Sequence, residues 1–244
     1  MTRGGVALVA AAVAIALAGC ESTEQESAKI AKRLGHQSAD AQVTQIRGDN
    51  PAVRVVEAQI VHTAGGTAAA LELTNTSAAA QADVPILITV KDASGATVYS
   101  NDTVGDSSPS GELSLLPGHA TVWWVDASVL ASSGTPASVT AQIGKPTGTA
   151  ADVASAAAIS TSKLSSGSNF VGPYVQGTAV NGSAAALTDV TLYAVALDGG
   201  RVVAAGQSLL PTLAAHGSAS FQVNVTGSPK GATPAVSAVP AHLG

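Results

Sequence analysis

Two residue types are almost missing from this chain. Among 244 residues there is one cysteine, Cys20, and one methionine, Met1. A single cysteine rules out an internal disulfide framework and a cysteine-based zinc site. A single methionine rules out the Met–His ligand sets that extracytoplasmic copper carriers need. Aromatic residues make up only 3% of the sequence, so any core must be small and aliphatic. Charged residues are scarce at 11%, with 11 basic against 16 acidic. A mildly acidic chain has no electrostatic reason to bind nucleic acid. It also carries no basic cluster for anionic lipid. No nucleophile elbow, H-E-x-x-H pair or phosphate-cradling glycine loop occurs. No cofactor or metal is expected, and nothing points to an enzyme.

What is present starts with the N-terminus. Arg3 is followed by an apolar run from Val6 to Leu17, closed by the small residues Ala18 and Gly19. A charged start, a short apolar run and a small-residue end describe a secretory signal. The run is well short of the roughly 20 apolar residues that a membrane span requires. Leu17-Ala18-Gly19-Cys20 resembles the lipobox of bacterial lipoproteins. The resemblance implies removal of residues 1–19 and lipidation of Cys20 by diacylglycerol on its thiol. Two or three acyl chains give stable attachment where one chain is marginal. The implied location is the extracytoplasmic face of the cell membrane, or the outer membrane in a diderm. The membrane is then a partner through the lipid on Cys20.

Residues 20–50 are polar and mixed in charge, and read as a flexible tether with a short helix near 27–34. Asn50-Pro51 marks the start of folded chain. From there, short alternating strands recur at regular intervals, separated by Gly, Asn, Asp and Pro turn signals. The strongest is 84–91, where Val84, Ile86, Ile88 and Val90 share one face. Such spacing predicts an all-β chain of antiparallel sandwiches. In residues 53–61 the apolar phase shifts at Val55-Val56, which predicts a bulge. The expected organisation is a first sandwich over 51–145, a linker over 146–168, a second sandwich over 169–227, and a disordered Pro- and Ala-rich tail over 228–244.

The two halves repeat one order of signals. Asn75-Thr76-Ser77 answers to Asn181-Gly182-Ser183, residues 84–90 to 190–196, Asp92 to Asp198, and the turn at His119 to the turn at His216. One duplicated unit accounts for both. In the second half, residues 175–183, Tyr193, Asp198-Gly199-Gly200 and Leu213 resemble the FxLYD-type immunoglobulin-like module of bacterial envelope proteins. The family's Leu-Tyr-Asp run is broken here, because Leu192-Tyr193 is followed by Ala194. The resemblance implies a tandem immunoglobulin-like fold and an envelope location, without a shared catalytic site.

Candidate site residues are few. His36, His62, His119, His216 and His242 do not show zinc-ligand spacing. Asp102, Asp106 and Glu112 share one loop and read as solvated carboxylates. The adjacent pair Trp123-Trp124 carries more information. Neighbours on a strand face opposite ways, and the repeat matches Trp124 to Phe221. Trp124 is therefore expected in the core, with Trp123 facing outward as a candidate interaction surface, covered by the other sandwich, by a partner, or by nothing. Two functions follow from the sequence. One is a lipid-anchored, non-catalytic envelope protein that binds a protein or glycan partner or assists envelope assembly. The other is an enzyme or small-solute binder with a site between the two sandwiches.

Overall fold

A computed structural model describes residues 46, 48–102, 111–131, 133–148 and 159–242. The described residues form fourteen strands and no helix. The first half runs through β1 (Val53–Thr63), β2 (Gly66–Asn75), β3 (Gln81–Asp92), β4 (Thr97–Ser100), β5 (Glu112–Leu116), β6 (Thr121–Asp126) and β7 (Pro136–Ile143). The second runs through β8 (Ile159–Ser168), β9 (Pro173–Asn181), β10 (Leu187–Asp198), β11 (Arg201–Leu213), β12 (Ser218–Asn224), β13 (Thr226–Gly227) and β14 (Thr233–His242).

Each half is a β-sandwich of antiparallel sheets. In the first, the order β1-β2-β6 faces a sheet centred on β3, which pairs with β4 and β5 on one side and with β7 on the other. In the second, β12-β9-β8 faces β13-β11-β10-β14. The long strand β11 stands where β4 and β5 stand in the first half. Alternation of apolar side chains puts Leu71, Leu73, Val84, Ile86, Ile88 and Trp124 inside the first sandwich. Val175, Leu187, Val190, Leu192, Phe221 and Val223 fill the second. The bulge expected in β1 lies between Val55 and Glu57, and leaves Val56 45% exposed.

The same side-chain lock closes both halves. The buried amide of Asn75 donates to the carbonyls of Ala79, Leu116 and Pro117. That of Asn181 donates to Ala185, Leu213 and Ala214. Each amide oxygen accepts from the backbone and hydroxyl of the serine two residues on, Ser77 or Ser183. One buried asparagine thus ties three carbonyls and a turn together. The backbone N–H of His119 donates to Ser77, and that of His216 to Ser183. Both histidines sit in the left-handed region, at φ 56° and 51°, as do the matched Asp83 and Asp189 at 49° and 51°.

Two boundaries differ from the sequence expectation. Strand β8 occupies the stretch read as linker, and β14 occupies the stretch read as a disordered tail. β8 was hidden because it is Ser- and Thr-rich and half exposed, held by its ladder to β9 rather than by an apolar face. β14 carries Pro234 and Pro240, yet pairs with β10 along its whole length. It is an edge strand, and the two prolines are six residues apart, hence in the same phase. Edge positions whose N–H would point away from the sheet tolerate proline. The short helix expected near 27–34 and most of the 146–158 stretch lie outside the described residues.

Candidate functional site

The sheets β1-β2-β6 and β13-β11-β10-β14 bury both of their faces, so the two sandwiches stack in four layers. The sequence of β2 explains this. Ala68, Ala69, Ala70 and Leu71 are all fully buried, although only every second one can face its own core. In β10, Leu192, Ala194 and Ala196 enter the second core, while Tyr193 and Val195 enter the apolar cluster of the first. Strands buried on both sides read as continuous apolar runs rather than alternation.

Trp123 and Trp124 take the two orientations expected. Trp124 is fully buried in the first sandwich. Its indole N–H finds no hydrogen-bond partner among the described residues. Trp123 points the other way and is only 8% exposed. It shares one apolar cluster with Tyr193, Val195, Val202, Ala205 and Val239 of the second sandwich. Its backbone N–H donates to the Ser237 hydroxyl of β14 at 2.9 Å. Trp123 is therefore not offered as a free partner surface; the other half of the chain covers it. A second clasp joins the sandwiches where the Val202 N–H donates to the Gln59 side-chain carbonyl at 2.8 Å.

One buried charge-bearing group lies beside this junction. Asp126 is fully buried at the end of β6. Its carboxylate accepts from the Tyr99 hydroxyl at 2.8 Å, and from the backbone and hydroxyl of Ser128, each at 2.9 Å. Burial raises the Tyr193 phenol well above the ordinary tyrosine range, and the nearby Asp126 charge adds to the shift. Sequence reasoning missed this group. The available signal was a polar residue continuing the apolar phase of β6, two residues after Trp124.

A cleft of about 340 Å³ opens along the junction, lined by Leu115, Pro117, Val122, Ile159, Thr161, Val236, Ser237, Ala238 and Val239. This is where a site between the sandwiches would lie. Its walls hold two hydroxyls and no titratable side chain, and the Thr161 hydroxyl is committed to the Val236 carbonyl. The other residues singled out by sequence are dispersed. His119 and His216 are exposed on matching turns. The His62 ring is hydrogen-bonded to Thr67 at 2.7 Å. Asp102 and Glu112 are exposed, and Asp106 lies outside the described residues, as do His36 and Cys20. His242 closes β14. Among the described residues, no three His, Cys, Asp or Glu side chains come together as a metal site.

No family model matches the chain, and no curated protein matches it. Among solved structures, that of red sea bream transglutaminase is similar over 93% of this chain at 11% identity, with a TM-score of 0.20. The match covers 34% of that protein, so the chain spans about a third of its length. A likeness of this degree carries no argument about fold or activity.

Proposed function

We propose that this chain is a lipid-anchored protein of the bacterial envelope. Its paired immunoglobulin-like sandwiches stand on the extracytoplasmic side and act by binding rather than by catalysis. The observation that carries the reading is Leu17-Ala18-Gly19-Cys20 at the end of the apolar run. Only a peptidase that cuts before a lipidated cysteine gives a reason for the sole cysteine of the chain to stand there. The body is consistent with life outside the cytoplasm. It is all-β, and its two cores are filled by aliphatic packing that asks nothing of a reducing compartment.

The junction supports binding over catalysis. Its one buried carboxylate, Asp126, is already saturated by Tyr99 and Ser128 and has no solvent access. A general acid or base must reach substrate. The partner class is an envelope protein or glycan, met by outward surfaces of the body.

Metabolic labelling with a palmitate analogue tests the anchor. The wild-type chain should be labelled and partition with membranes, while Cys20→Ser should lose label and retain the uncleaved N-terminus. Label persisting in Cys20→Ser would overturn the proposal.

A further inference from the structure

Among the described residues, the most exposed apolar one is one of only two phenylalanines in the chain. Phe170 is 100% exposed and Val171 60% exposed. They are the two central residues of the β8–β9 hairpin turn. The turn is firmly built: Asn169 and Gly172 exchange both backbone hydrogen bonds, at 3.0 and 3.2 Å. The Asn169 side-chain oxygen accepts from the backbones of Val171 and Gly172 as well. Gly172, at φ 143°, supplies a conformation that a side chain would resist. A side-chain cap and two ladder bonds therefore hold two apolar groups out in water, at a position where polar residues are the norm.

The matched turn of the first sandwich sharpens the point. Thr63-Ala64-Gly65-Gly66 has the same frame, with Gly66 at φ 150°. Its central residues are Ala64 and Gly65. That tip is exposed as well, and only its Gly66 nears the second sandwich, where a Cβ would come within 3.6 Å of the Thr226 hydroxyl. Of the two exposed tips, one is small and the other is large and apolar.

We infer that the Phe170-Val171 tip inserts into the lipid leaflet that holds the Cys20 anchor, giving the body a second, reversible foot on the membrane. This rests on the lipid-anchor reading. Two features select a bilayer as the occupant. The first is reach. Residues 20–47 can span at most about 100 Å of contour, whereas an 11-residue strand such as β1 is about 37 Å long. Chain of that length would let either end of the body meet the leaflet, and confinement near it would make a weak contact effective. The second is layering behind the tip. The ring of Tyr174 lies across the hairpin from Gly167, where any Cβ would fall 2.6 Å from the phenol oxygen. An amphipathic ring just behind an apolar tip is the arrangement found at membrane interfaces. Two side chains on a convex turn, ringed by Ser, Asn and Gly, give a protein partner little area, whereas a fluid leaflet closes around them.

The test uses the full lipidated protein in vesicles whose acyl chains carry bromine, with Phe170→Trp as the reporter. Complete exposure of Phe170 makes this change neutral for folding. The native tryptophans, both buried in β6, give the background. Flotation with the vesicles reports the anchor, and quenching reports the tip. A tip seated about 5–10 Å into the interface should lose about half of the added fluorescence. Flotation without quenching overturns the tip insertion and leaves the anchor standing. Absence of flotation overturns the anchor, and the tip insertion with it. A blue shift that requires added envelope protein and not lipid also overturns it, and makes the tip a protein contact.

Discussion

The two sandwiches share their strands, their asparagine locks and their left-handed turns, yet they are not interchangeable. They differ in which outer face is apolar. In the first it is the β1-β2-β6 sheet, where Ala70, Trp123 and Val125 are buried. The matched residues of the second are Gln176, Ser220 and Gln222, all exposed. In the second it is the sheet holding β10, where Tyr193 and Val195 are buried. Their counterparts in β3 are Leu87 and Thr89, both half-buried. Each half has one apolar outer face and one polar one, and the apolar faces meet. Repeat proteins need polar ends to stay soluble, and an array grows only where both faces of a unit are apolar. Here two units already supply both ends, so the stack closes at two.

The largest effect should separate the two cores. Trp124→Ala removes the biggest fully buried side chain and should cost about 3–5 kcal/mol, measured by denaturant unfolding. Phe221→Ala, at the matched position, should cost less, since Phe221 is smaller and keeps 7% exposure. Trp124→Phe places the second half's residue in the first. It loses volume but removes a buried donor without a partner, a group that costs about 1–3 kcal/mol. It should fall within about 1 kcal/mol of wild type. A loss as large as that of alanine would mean that the indole N–H is satisfied.

The next effect should break the junction alone. Ala70→Gln grafts the polar residue of the second sandwich into the buried face of the first. Burying an amide without a partner costs about 1–3 kcal/mol. Both cores are untouched, so unfolding should turn from one transition into two, seen by calorimetry. A single transition at an unchanged midpoint would show that Ala70 does not bear on the other half.

Tyr193 belongs to the same layer and adds a pH signature. Its phenol is held neutral by burial first and by Asp126 second, so its folded pKa lies above the unfolded value near 10. Stability from this group is full below that value. It should fall as pH rises above about 10, because the unfolded chain then releases a proton that the folded one retains. Tyr193→Phe should flatten that fall. A wild-type midpoint unchanged up to pH 11 would contradict a buried, neutral phenol.

How much of this could be read in the sequence follows from what each strand buries. Strands with one wet face, such as β12, alternate cleanly and are legible to within a residue. Duplication fixes the phase of Trp124 against Phe221 from sequence alone. The edge strands β8 and β14 were illegible for opposite reasons. One has too few apolar residues to show a period, and the other carries prolines that argue against a strand unless its edge position is known. That an outward Trp123 needs a cover was legible, with the other sandwich first among the choices; which residues supply it was not. A surface made of Ala70, Val125 and Val195 looks like ordinary core composition until both faces of β2 and β10 are found buried. Asp126 gave no warning, since its partners Tyr99 and Ser128 come from separate segments and only the fold assembles them.

The smallest effect tests whether the two turns are truly one. His119 and His216 hold φ 56° and 51°, where a side chain is disfavoured and glycine is not. Their hydrogen bonds to Ser77 and Ser183 come from the backbone, so removing the imidazole keeps them. Substituting glycine relieves the left-handed strain and at the same time raises the entropy of the unfolded chain, and these oppose each other. The net should be a gain of a few tenths of a kcal/mol, and no more than about 1 kcal/mol. His119→Gly and His216→Gly should give the same gain, and the double variant the sum, since the turns belong to different sandwiches and share no partner. Measured differences in thermal midpoint would be small but of one sign. If one variant stabilises and the other destabilises, the matched turns have diverged, and the losing histidine does something in the fold that its twin does not.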